Sequence, residues 1–134
     1  MKNTTTKSVK KSKTGRYEAY NGEMIYFQSN AKADRYLQLV KFLENKSITD
    51  LEIKPSYDAV VQNKKMCTFT PDFRYMTLEP NDHRGYQVIE DVVGVTTDVY
   101  KLKVSLIEAT NFIKVHSIPA KEIDTWAEII PLNQ

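Results

Sequence analysis

Two acidic positions in this chain read as more than solvated charge. Asp72 lies in Thr70-Pro71-Asp72-Phe73-Arg74-Tyr75, and Glu90-Asp91 follows the apolar pair Val88-Ile89 and precedes Val92-Val93-Gly94. Both stretches have strand character, and Pro71 is tolerated where a strand starts but not in mid-sheet. Side chains alternate along a strand, so Glu90 and Asp91 face opposite ways and only one of them can join Asp72. Paired carboxylates on neighbouring strands suit a hard cation, because Mg²⁺ is commonly held by one or two carboxylates plus the phosphate oxygens of a substrate. Other chemistries find less support. Cys67 is the only cysteine, which excludes an intrachain disulfide and a Cys-based zinc site and fits a reducing compartment. His83, in the polar turn Asn81-Asp82-His83-Arg84-Gly85, and His116, at a strand end, read as solvated or structural residues.

The elements that must position these acids follow from local pattern. Asn21-Gly22 between Tyr17, Tyr20 and Met24 to Phe27 marks a hairpin. Ser29 caps a helix to about Lys46, with Ala33, Tyr36, Leu37, Leu39, Val40 and Leu43 on one face. Strands are expected over Leu51 to Lys54, Asp58 to Gln62, Met66 to Thr70, Asp72 to Leu78 and Tyr86 to Val93, separated by turn residues. Thr96-Thr97-Asp98 caps a second helix from Val99 to Asn111, followed by a strand Phe112 to His116 and a last helix Ala120 to Ile129 carrying Trp126 over the core. The order implies an α/β fold in which helices flank a central mixed sheet. At 134 residues, with 41% hydrophobic and 27% charged side chains, the chain has the size and composition of one globular domain, not of a disordered or fibrous protein.

The motifs also resemble the PD-(D/E)xK nuclease superfamily, and more closely a phage-borne family of small predicted endonucleases, over about residues 21 to 115. The residues carrying the likeness are Gly22, Phe27-Gln28-Ser29, Ile48-Thr49-Asp50-Leu51-Glu52-Ile53-Lys54-Pro55, Asp72-Phe73-Arg74-Tyr75, Glu90-Asp91-Val92-Val93-Gly94, Thr97 and Tyr100-Lys101-Leu102-Lys103. No piece is specific alone; their order and spacing are. The resemblance implies a restriction-endonuclease-like fold with Mg²⁺ (or Mn²⁺) as cofactor and DNA as substrate. Asp72 and Asp91 would be the metal-binding, catalytic carboxylates and the Val92 carbonyl a further ligand. Two positions depart from the pattern: Val93 stands where the family has a lysine, and Lys32 where the first helix has an acid.

Helical geometry offers a substitute for the missing strand lysine, whose role of orienting water and stabilising charge is open to any well-placed cation. Lys103 falls inside the arc of Val99, Leu102, Leu106 and Ile107, and Lys32 inside that of Tyr36, Leu39 and Leu43. Lys32 also breaks the capping box that Ser29 would form with a Glu and opposes the helix dipole. Lysines that break local rules without local compensation are where function or strain is expected. Lys103 is the first choice and Lys32 the second.

The formal charge of +2 conceals a split: residues 1 to 16 hold six of the 19 basic groups and no acid, leaving 13 basic against 17 acidic groups, a net of −4. Residues 1 to 15 are expected to form a flexible basic arm and 16 to 134 a single nuclease-like domain. Lys7, Lys10, Lys11, Lys13 and Arg16, with Lys101 on the outer face of the second helix, are the candidate nucleic-acid contacts, adding salt-dependent affinity without base specificity. No apolar run has the length of a membrane span and no secretory signal is visible, so a cytoplasmic protein is expected, in the bacterial host cytoplasm if phage-encoded. The expected function is Mg²⁺-dependent endonuclease or resolvase-like hydrolysis of DNA, and a homodimer that cuts two strands is compatible with it. The alternative, favoured by Val93 and Lys32, is a catalytically inactive nuclease-fold module that binds DNA or a protein partner.

Overall fold

A computed structural model describes residues 15–78 and 85–132 of the chain. A hairpin of β1 (Arg16–Tyr20) and β2 (Glu23–Phe27) turns through Asn21 and Gly22, both at positive φ, as the Asn-Gly signal requires. Ser29 then caps α1 (Asn30–Glu44), its hydroxyl accepting from the Lys32 N–H at 3.2 Å. Next come β3 (Ile48–Ile53), the hairpin of β4 (Tyr57–Val61) and β5 (Lys64–Phe69), and then β6 (Phe73–Thr77) and β7 (Gln87–Val93). Thr97 caps α2 (Asp98–Asn111) by accepting from the Tyr100 N–H, and β8 (Val115–Pro119) and a 3₁₀ helix (Ala120–Trp126) follow.

The central sheet has the order β3-β6-β7-β8 and is mixed: β3, β6 and β7 pair antiparallel, while β7 and β8, joined by the α2 crossover, are parallel. Each face is covered. On one, Ala33, Tyr36, Leu39 and Phe42 of α1 meet Phe73, Tyr75, Val88, Val92 and Ile118 of the sheet, with Ile123 of the 3₁₀ helix closing the layer and Trp126 packed against it. On the other, Val104 and Ile107 of α2 and Ala59 and Phe69 of the β4-β5 hairpin pack on Ile89 and Val115. The chain is thus an α/β protein with helices on both faces of a mixed sheet, as its element order implies.

Two expectations are corrected. The strand after α2 begins at Val115, not Phe112, because Phe112 closes the helix in the left-handed conformation (φ 57°, ψ 46°) and stands 93% exposed. The inward face of α2 is also rotated: Val99 and Leu102 are exposed, and Val104 and Ile107 are buried. The β4-β5 hairpin lies against this helix and selects that face.

Candidate carboxylate and lysine site

β6 and β7 run antiparallel, so the start of one meets the end of the other, and this brings Asp72 beside Asp91 and Val92. Asp72 follows Pro71 immediately before β6. Its main chain is held from both sides: its carbonyl accepts from the Lys54 N–H (2.8 Å) and its N–H donates to the Glu90 carbonyl (3.1 Å). Its side chain is also fixed, with Oδ2 accepting from the Val92 N–H (2.8 Å) and from Lys32 Nζ (2.6 Å). Lys32 Nζ donates in addition to the Val92 carbonyl at 2.8 Å. Lys32 lies in the first turn of α1, where no acidic residue offsets its charge, and Asp72 supplies that compensation through space.

Asp91 is buried on the face of β7 that looks toward α2. Tyr100, in the first turn of α2, donates its hydroxyl to Asp91 Oδ2 at 2.8 Å and lies 3.2 Å from Ser117 Oγ, on the strand residue paired with Asp91. Burial first, and the Asp72 carboxylate next, push the Asp91 carboxyl up to about 7, against the Tyr100 hydrogen bond and the charge of Lys32. When protonated, Asp91 donates to Asp72. Burial raises the Tyr100 hydroxyl as well. The oxygen-only donors here, two carboxylates and one carbonyl, match what Mg²⁺ or Mn²⁺ accepts, and a divalent ion would relieve the repulsion between the acids. Among the described residues no group of three or more His, Cys, Asp or Glu side chains gathers as a fuller metal cage. Next to Asp72, a cavity of about 160 Å³ is lined by Phe27, Gln28, Lys32, Lys54 and Thr70.

Glu90, carried as an alternative to Asp91, points to the other face. It is fully buried and accepts from Arg35 Nε and Nη2, both at 2.7 Å, and from the Tyr75 hydroxyl. A catalytic part for Glu90 is therefore corrected to a structural one. Lys103 is corrected too: rotation of α2 leaves it half-buried and without a bond to either acid, and Tyr100 is the α2 side chain that reaches Asp91. Of the two lysines considered, Lys32 is the one that joins the acids. Lys101 is exposed, as expected. Arg16 does not belong to a free arm; it opens β1 and is ion-paired with Glu18 (2.8 Å) and Asp34 (2.6 Å), which removes it as a spare phosphate contact. Lys7, Lys10, Lys11, Lys13 and His83 lie outside the described residues. His116 is half-buried, and burial lowers its pKa.

Sequence reasoning missed Tyr100, Lys54 and Arg35. For Arg35 a signal existed: two basic residues, Lys32 and Arg35, within the inward arc of one helix demand buried acids elsewhere. Tyr100 stood in the motif piece Tyr100-Lys101-Leu102-Lys103, but the exposed apolar residues Val99 and Leu102 pointed to the wrong face of the helix.

The fold and site define an α/β protein with a mixed sheet, at whose end Asp72, just before β6, pairs with a helix lysine beside the β7 carboxylate Asp91. The chain belongs to the family described as "Protein of unknown function (DUF1064)", whose profile matches residues 11–121. No curated protein and no solved structure matches it. Among the described residues, no helix is long and apolar enough to cross a membrane.

Proposed function

We propose that this protein is a metal-dependent phosphodiester hydrolase acting on DNA as an endonuclease or resolvase, on a restriction-endonuclease-like variant of the mixed sheet. The observation that carries the reading is the convergence of Asp72, Asp91 and Lys32 from the start of β6, the end of β7 and the first turn of α1. Asp72 and Asp91 lie in the motif pieces on which the resemblance rests, and Lys32 stands where the family has an acid. Asp72, Asp91 and the Val92 carbonyl would hold Mg²⁺ or Mn²⁺, which supplies Lewis acidity and a nucleophilic water at neutral pH. Tyr100 holds Asp91 in place, and Lys32 supplies positive charge where a phosphate gains negative charge. The adjoining cavity, smaller than the roughly 300–1,000 Å³ of small-molecule pockets, suits a single group of a larger ligand. A backbone phosphate facing Lys32 and Lys54 fits that description. The basic residues of the N-terminal stretch add affinity for the duplex, and a homodimer would cut both strands.

The test is incubation of plasmid and branched DNA with the full chain in Mg²⁺ or Mn²⁺. Cleavage lost in both Asp72→Ala and Asp91→Ala supports the hydrolase; cleavage unchanged by either reveals a contaminant. A second reading, a nuclease-fold module that binds DNA or a protein without cutting, is favoured by Lys32 closing on Asp72 and the Val92 carbonyl and by Val93 in the lysine position. Salt-sensitive DNA binding with no cleavage in either metal selects it.

A further inference from the structure

The two atoms that Lys32 grips, Asp72 Oδ2 and the Val92 carbonyl oxygen, both belong to groups assigned to the metal under the hydrolase reading. The ammonium makes short contacts to both, at 2.6 and 2.8 Å, and its side chain is 20% exposed. The Asp72 side chain is 10% exposed, and its Oδ2 also accepts the Val92 N–H. A divalent ion and an ammonium cannot share the same two oxygens at bonding distance, since Mg²⁺ sits about 2.0–2.1 Å from each ligand. We infer that Lys32 is a tethered cation that closes the site at rest, and that a divalent ion reaches Asp72 Oδ2 and the Val92 carbonyl together only by displacing it.

The inference rests on the hydrolase reading for the identity of the competing ion, but not on cleavage. It gives an inward lysine on a helix first turn a purpose: metal loading becomes a competition, won when metal and phosphate arrive together. Asp72 is the contested ligand. Asp91, held by Tyr100 and not by Lys32, is the one left for the incoming ion to approach first.

The test is calorimetric titration of the full chain with Mn²⁺ alone, for wild type, Lys32→Ala, Lys32→Gln and Lys54→Gln. Lys32→Gln keeps a donor for the Val92 carbonyl, so the comparison stands even if the alanine variant fails to fold. Both Lys32 substitutions are expected to tighten Mn²⁺ by about tenfold or more, the fold-equivalent of losing a charged hydrogen bond. Adding Asp72→Asn removes the gain. Lys54 lines the same cavity but donates to the Tyr26 carbonyl, so Lys54→Gln controls for charge alone. The inference falls if wild type binds as tightly as the Lys32 variants, if Lys54→Gln tightens binding equally, or if no variant binds. A second readout uses wild type only: the ¹⁵N signal of the Lys32 ammonium, assigned by its loss in Lys32→Gln, should leave its hydrogen-bonded position as Mg²⁺ is added. A signal unmoved at saturation refutes displacement. Tighter metal binding by the Lys32 variants with no cleavage by any form sinks the hydrolase and keeps the competition. Cleavage by wild type with Mn²⁺ affinity indifferent to Lys32 does the reverse.

Discussion

Arg35 to methionine is the substitution whose cost can be worked most directly from the structure. All five guanidinium N–H groups are used: Nε and Nη2 on the two Glu90 oxygens, Nη1 on Gln38 Oε1 and the Trp126 carbonyl (both 2.8 Å), and Nη2 also on the Ile129 carbonyl (2.9 Å). Both charged side chains are 0% exposed. Methionine leaves Glu90 buried with only the Tyr75 hydroxyl, a loss of about 3–5 kcal/mol. Against a total of roughly 5–15 kcal/mol, that removes a large share of the stability. With a urea slope of about 2 kcal/mol/M, the unfolding midpoint should fall by roughly 2 M. Glu90→Met strands the guanidinium and should cost a comparable amount. The double variant buries no charge and should be less destabilised than the sum of the two singles by several kcal/mol, though not neutral, because the Trp126 and Ile129 carbonyls lose their donor. Single variants costing under about 1 kcal/mol, the value of a surface pair, or strictly additive effects, would refute the role assigned to this network. Arg35→Lys should not rescue, since an ammonium cannot serve two carboxylate oxygens and two distant carbonyls together.

Other consequences can be measured alongside. In the metal-free protein Asp91 is raised from 3.8 to about 7, so the folded state binds the proton more tightly than the unfolded chain. Its contribution to stability is complete below the unfolded value and is lost as pH rises through the folded one. Thermal unfolding followed by circular dichroism should show the melting temperature falling between about pH 4 and 7, and Asp91→Asn should flatten that dependence. An unchanged slope in the variant would assign it to other groups. Gly85→Ala places a Cβ 1.6 Å from the Thr77 carbonyl oxygen, so β6 and β7 must separate at that end. A loss of about 2 kcal/mol or more is expected in urea unfolding; a neutral result would show that the loop yields instead. On the hydrolase reading, changing Lys7, Lys10, Lys11 and Lys13 to Gln should weaken DNA binding and reduce the slope of log K against log salt by about 0.9 for each phosphate that is no longer neutralised. Binding and slope identical to wild type would leave these lysines no part in DNA recognition.

Much of the framework was legible because it is written in local chemistry. Asn21-Gly22, Ser29 and Thr97 act on their immediate neighbours, and each does in the structure what its type implies. Strand alternation likewise determined that Glu90 and Asp91 part company, and Pro71 marked the strand start to within one residue, β6 opening at Phe73. The sheet's mixed character followed from the α2 crossover between β7 and β8. Where the sequence misled, a distant surface had decided. The exposed residues Val99 and Leu102 carried the apolar signal of α2, but the β4-β5 hairpin packs on the face of Val104 and Ile107, so Lys103 does not meet the acids and Tyr100 does. Sequence could place Lys32 and Arg35 on the inner arc of α1, yet not say which acid each would meet. The antiparallel pairing of β6 with β7 set that, sending Glu90 to Arg35 in the core and leaving Asp72 and the Val92 carbonyl for Lys32 at the sheet's end. Alternation, capping and turn chemistry are properties of a few consecutive residues and can be read from them. The partner of a buried charge is chosen by whichever group the packed layers bring within about 3 Å, and only the tertiary structure determines that.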